Sequence, residues 1–198
     1  MIRIEALHLH PTRWPTLAQA LQAQWPDWYG PGGAGAARAL ADLQAYAQPE
    51  GLPAGLLMLE GDEPIGLVAI KTQALDSRPA FTPMLGPAWV RPDRRGQGLG
   101  ARLLQAGEAL AARRGVATLY SATHEGEGLF TRAGWQALDC VPHDGRPLHF
   151  FSKSLDVPSP IDLCDPVQAR ARAEQANQRG RAASGFAGCR LPACAQPA

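Results

Sequence analysis

Apolar and polar residues alternate along residues 1–9, the period of a half-buried strand. The spacing then changes. Trp14, Leu17, Ala18, Leu21 and Trp25 recur every three or four residues and share one helical face, with Thr12 offering a capping oxygen and Pro15 in the first turn. A Pro- and Gly-rich loop over residues 25–33 breaks this helix, and residues 36–47 predict a second. Residues 56–60 and 65–71 flank the turn pair Gly61-Asp62 and predict a β-hairpin.

An apolar run over 84–90 follows, then a glycine-rich loop and a helix over 98–114. Arg113 and Arg114 suit the negative end of that helix, and Gly115 suits a left-handed cap. Residues 116–122 read as a strand, 125–133 as a short helix, and 135–141 with 148–155 as a hairpin around Asp144-Gly145. The order βααβββαβαββ predicts an α/β (α+β) fold with a mixed, mostly antiparallel central sheet and helices on both faces.

A chain of 198 residues, 45% of them hydrophobic, suffices for one domain with a full core, here residues 1–155. Residues 156–198 form an Ala/Arg/Pro-rich tail with few large apolar side chains, expected to be disordered or loosely attached. A net charge of +1 without a basic stripe argues against nucleic acid. The N-terminal alternation is unlike a signal peptide and no apolar run is long enough to span a bilayer, so no membrane association and a cytoplasmic location are expected. Cys140, Cys164, Cys189 and Cys194 lack C-x-x-C spacing and predict neither a disulfide framework nor a zinc site. His8, His10, His143 and His149 show no ligand pattern, so no metal is expected.

Arg95-Gly96-Gln97-Gly98-Leu99-Gly100 joins an apolar strand to a helix start, where backbone N–H groups lack intrahelical partners. Glycines let an anion approach such donors closely, so the loop suits a phosphate or pyrophosphate. It is not a Walker A loop, since no Gly-Lys-Ser/Thr follows. A dinucleotide fingerprint also fails, because no acidic residue stands about 20 positions on, where the chain reads Thr118, Leu119, Tyr120.

Arg95, Gly98 and Gly100 match the Arg/Gln-x-x-Gly-x-Gly/Ala signature of the GNAT superfamily of acetyltransferases, which residues 1–155 resemble. The agreement is most specific over 84–135, where Phe130-Thr131-Arg132-Ala133-Gly134-Trp135 is similar to the family's Tyr-x-x-x-Gly-Phe/Trp sequence. The resemblance implies a sheet splayed at an acetyl-CoA cleft. Acetyl-CoA would be the co-substrate, its pantetheine arm beside Ala88, Trp89 and Val90, its pyrophosphate on the N–H groups of Gly96, Gln97, Gly98, Leu99, Gly100 and Ala101. Thr123 stands where many members have an Asn beside the pantetheine.

The implied reaction is direct attack of a primary amine on the thioester, with a backbone N–H near Trp89 or Val90 stabilising the oxyanion. One departure bears on it. Phe130 replaces the usual Tyr whose hydroxyl protonates the leaving thiolate, so Tyr120, on the strand before, is the candidate acid. His124, Glu125 and Glu127 are candidates to relay the amine's proton. Trp25, Asp27, Trp28 and Tyr29 lie where the family's first two helices border the acceptor, and aromatic walls with a carboxylate suit a cationic amine. The expected acceptor is a small amine or a peptide N-terminus, and the expected state is a monomer or homodimer. The alternative is a non-catalytic acyl-CoA-binding or sensor module with a degenerate GNAT site.

Overall fold

The computed structural model describes residues 1–30 and 32–157, with the side chains of Gly32 and Gly33 left aside. The expected tail falls almost wholly outside the described residues. The order is β1 (Ile2–Ala6), α1 (Trp14–Gln24), α2 (Pro26–Tyr29), α3 (Gly32–Ala45), β2 (Ala54–Glu60), β3 (Glu63–Lys71), β4 (Met84–Val90), α4 (Leu99–Arg113), β5 (Thr118–Thr123), α5 (Glu127–Arg132), β6 (Gln136–His143) and β7 (Arg146–Ser154).

Three local readings are corrected. The first strand ends at Ala6, because Leu7–Leu9 turns into a 3-10 helix that buries Leu7. Thr12 does not cap α1: it lies inside a second 3-10 turn, Pro11–Arg13, and Arg13 occupies the N-cap without a side-chain bond. The supposed loop after Trp25 contains α2, a single turn begun at Pro26, where a missing N–H costs nothing.

Among the described residues seven strands run β1-β2-β3-β4-β5-β7-β6, and only β4 and β5 pair in parallel. Period-two alternation sorts the core into two layers. Val68 and Ile70 of β3 join Leu103, Leu104 and Leu110 of α4, whereas Leu67 and Ala69 face Leu17 and Leu21 of α1 and Leu43 of α3. Burial on both faces explains why β2 and β3 read as nearly continuous apolar runs. Gly107 brings α4 close to the sheet, since a Cβ there would stand 2.9 Å from Leu85 and 3.2 Å from Val68.

A polar clasp ties α4 to the far half of the sheet. Glu108 accepts from Trp135 Nε1 at 2.7 Å and from Lys153 Nζ at 2.6 Å, and Lys153 also donates to the Ala133 carbonyl at 2.8 Å. Removing that carboxylate strands two partly buried donors. Glu108→Ala is therefore expected to lower stability by about 1–3 kcal/mol in urea titration. A shift within error would show that water replaces the carboxylate without cost.

Candidate active site

The cleft begins where β4 leaves β5. Only Met84 with Tyr120 and Leu85 with Ser121 pair across these strands, and beyond them Gly86 and Pro87 together oppose Ala69 of β3 as a bulge. A bulge bends its strand, and Pro87 has no N–H to extend the ladder. The two strands diverge. Ser121, buried between them, donates from Oγ to the Leu85 carbonyl at 2.9 Å and pins the last shared position.

Past the bulge β4 keeps one edge free. Arg91 N–H bonds Ile65 of β3 at 2.9 Å, so by alternation Trp89 also turns its backbone groups to β3. Ala88 and Val90 turn theirs to the cleft, as the 3.1 Å bond from Arg95 Nε to the Val90 carbonyl shows. Of the N–H groups of Trp89 and Val90, that of Val90 is the one turned to the cleft. The Trp89 side chain instead packs into the α1–α3 layer.

The loop after β4 carries two glycines in the left-handed region, Gly96 and Gly98, both at φ +75°. Gly98 is the N-cap of α4, and its carbonyl accepts the first intrahelical bond, from Arg102. The N–H groups of Leu99, Gly100 and Ala101 thus open a 15-residue helix with no partner inside it. Arg95 bridges this loop to Gln24 at the end of α1.

These surfaces line one cleft of about 650 Å³. On the β4–α4 side lie Ala88, Trp89, Val90, Arg95, Gly96 and Gly98, then Leu99 and Gly100. Thr123 and Phe130 close it from β5 and α5. Trp25, Asp27, Trp28 and Tyr29 line its other end. Gln97 and Ala101 belong to the loop and helix start without lining the cleft.

Tyr120 is not brought to this cleft. Alternation turns it away from Leu119 and Ser121, and its ring stacks on Phe81 at 5.1 Å and 2° in a cluster with Met84 and Phe150. Phe130 is buried between Phe151, stacked at 5.2 Å, and Trp135, edge-on at 5.1 Å. No hydroxyl stands at its position.

Several lining residues escaped the sequence reading, among them Tyr46 and Lys71. Burial pushes the carboxyl of Asp42 of α3 above its ordinary range, an effect that the neighbouring Tyr29 hydroxyl opposes. Burial likewise raises the phenols of Tyr29 and Tyr46, the nearby Asp42 charge adding to it. Lys71 is pushed below the usual ammonium range by burial, an effect that Asp42 opposes. The signal for Lys71 was present in the sequence as a cation ending a strand of apolar residues.

On the β5–β7 side, His124 Nδ1 lies 2.8 Å from the Pro147 carbonyl, Glu125 faces Arg146 at 3.8 Å, and Glu127 faces His149 at 2.9 Å. Among the described residues no group of three or more His, Cys, Asp or Glu is placed to hold a metal ion, and no helix is long and apolar enough to cross a membrane.

Comparison with known proteins agrees with this architecture. The model of the acetyltransferase (GNAT) family matches residues 14–135, and the chain belongs to that family. An aminoglycoside 6′-N-acetyltransferase complexed with coenzyme A superposes with TM-score 0.63 at 20% identity, covering 81% of this chain and 99% of that one. A putative acetyltransferase from Salmonella typhimurium with acetyl-CoA gives 0.62 at 18% identity, over 79% and 94% of the two chains. A ribosomal-protein alpha-N-acetyltransferase in complex with coenzyme A gives 0.58 at 14% identity, over 79% and 95%. At these identities the likeness concerns the fold. A search of curated proteins finds no match.

Proposed function

We propose that the chain transfers the acetyl group of acetyl-CoA to a primary amine by direct attack on the thioester. One observation carries this reading: the edge of β4 beyond its bulge lines the same cleft as the open N-terminus of α4 and a wall of aromatic side chains. The first end suits a pyrophosphate, the edge suits an extended amide chain, and the wall suits an acceptor. Family membership and the bound coenzyme of the structural neighbours support it.

The chain's own groups supply the rest. Backbone groups of Ala88 and Val90 hold the pantetheine amides as a neighbouring strand would, and a cleft-facing N–H of β4 stabilises the oxyanion. The amine attacks the carbonyl carbon, the C–S bond breaks, and the thiolate leaves.

An acceptor that arrives as an ammonium must first lose a proton. His124 is our candidate base. A carbonyl oxygen only accepts, so Nδ1 carries the hydrogen in its bond to Pro147 and the neutral ring keeps its lone pair on Nε2. The ring lines the cleft, whereas Glu125 and Glu127 are engaged by Arg146 and His149. The charged or titratable groups around it are Glu125, Arg146, and His143 with Asp144.

His124→Gln is expected to slow acetyl transfer about 10²-fold, near the lower end of general-base contributions, without altering acetyl-CoA affinity. Equal rates in the two proteins would remove His124 from the mechanism.

Phe130 favours one competing reading, a module that binds an acyl-CoA without turnover. Release of free thiol from acetyl-CoA in the presence of an amine panel decides between them. Amine-dependent thiol release supports transfer, and tight binding with none supports the module.

A further inference from the structure

We infer that the acceptor carries an anionic group, a carboxylate for choice, beside its amine, and that Lys71 holds that anion at the aromatic end of the cleft. This rests on the N-acetyltransferase reading and narrows its substrate class.

Lys71 closes β3 and pairs with Met84, which itself pairs with Tyr120, so it stands where the splay begins. Alternation with Leu67 and Ala69 places it on the α1–α3 face, the face of the aromatic wall. Its ammonium lies 5.5 Å from the centroid of the Trp28 ring, and both residues line the cleft with Trp25, Tyr29 and Tyr46. That ring is 47% exposed, so its face is available to a ligand as well.

Among the described residues this ammonium takes part in no protein hydrogen bond or ion pair, and its contact is the Trp28 ring. Asp42 is near enough to influence it, yet does not line the cleft. Burial lowers the proton affinity of this half-buried ammonium, and a ring face offsets only part of the cost of drawing it away from water. An anion on the ligand would supply the missing partner.

The other cations of the cleft are engaged: Arg95 bonds the Val90 carbonyl and Gln24, and Arg146 faces Glu125. Lys71 is the cation left open. Asp27, exposed on the same wall, suits the acceptor's ammonium, so the wall offers one charge of each sign to a zwitterion. The same ammonium opposes polycationic acceptors. The aminoglycosides named for the structural neighbours are therefore poor candidates, whatever the likeness of fold.

The test compares acetylation of amino acids, their carboxamides, and a polyamine by wild-type protein and by Lys71→Met and Lys71→Arg. The wild type should prefer the carboxylates. Lys71→Met should raise KM for them about 10–100-fold, the range of a lost charged hydrogen bond, while KM for the carboxamides stays within about twofold. Lys71→Arg should recover much of the loss. Unchanged acetyl-CoA affinity by calorimetry would show that the variants remain folded.

Preference for carboxamides or the polyamine, or equal losses on both acceptor classes, overturns the assignment of Lys71 and leaves N-acetylation standing. A protein that binds acetyl-CoA yet acetylates no amine in the panel overturns both.

Discussion

Gly98→Asp is expected to reduce acetyl-CoA affinity about 10²–10³-fold while the protein stays folded. Nothing lies within 4 Å of a Cβ built on Gly98, so the new side chain meets no protein atom. Its cost to the fold comes from φ +75°, a region that non-glycine residues enter at roughly 1–2 kcal/mol and that Asp and Asn tolerate best. Asp is also a good N-cap beside the positive end of a helix, which offsets part of that cost.

The ligand experiences something different. The carboxylate would stand where the pyrophosphate meets the N-terminus of α4, and like charges about 4 Å apart at an effective dielectric of 20 repel by about 4 kcal/mol. Gly98→Asn separates the contributions, because it keeps the size and the backbone strain and omits the charge. Calorimetry should find a modest loss for Asn and the large loss for Asp. Equal losses would assign the effect to the backbone alone, and unchanged affinity in both would remove the pyrophosphate from this loop.

The apolar periodicities recovered much of the fold. Residues 84–90 form β4 with the expected limits, and α4 begins one residue inside its expected start. Asp144 and Gly145 adopt φ +50° and +74°, the paired left-handed turn that suits a two-residue hairpin. These features are local, and local chemistry decides them. Thr12 was misread because two adjacent 3-10 turns use up the residues that a capped helix would have needed.

The site was legible to the extent that backbone makes it. Gly96, Gly98 and Gly100 announce a loop that an anion can approach, and the structure sets that loop at the mouth of the cleft. The side-chain chemistry was less legible, because it depends on which strands separate. Tyr120 looked available in the sequence, but its ring stacks on Phe81, 39 positions earlier, and does not line the cleft. Lys71 appeared in the sequence only as the last residue of a strand. Its surroundings come from α2, whose Trp28 ring lies 5.5 Å from the ammonium, and from the burial that lowers its proton affinity.

Phe130→Tyr is expected to accelerate acetyl transfer, up to the ~10²–10⁴ that general-acid help typically supplies. The residue lines the cleft, and its ring is held on two sides by Phe151 and Trp135, so the substitution adds a hydroxyl to an already oriented ring. Protonation of the leaving thiolate is the step that gains. A thiol with a pKa near 8.5 departs without an obligatory acid, which is why the wild-type residue is compatible with turnover at all. Tyr120→Phe should leave the single-turnover rate and its pH dependence unchanged, since the Tyr120 ring lies against Phe81 outside the cleft. Single-turnover kinetics are needed because product release can hide a faster chemical step. The double variant should then behave as Phe130→Tyr alone. If Tyr120→Phe slows the reaction instead, Tyr120 reaches the thiolate in a conformation other than this one, and the gain from Phe130→Tyr should shrink accordingly, because one proton needs only one donor.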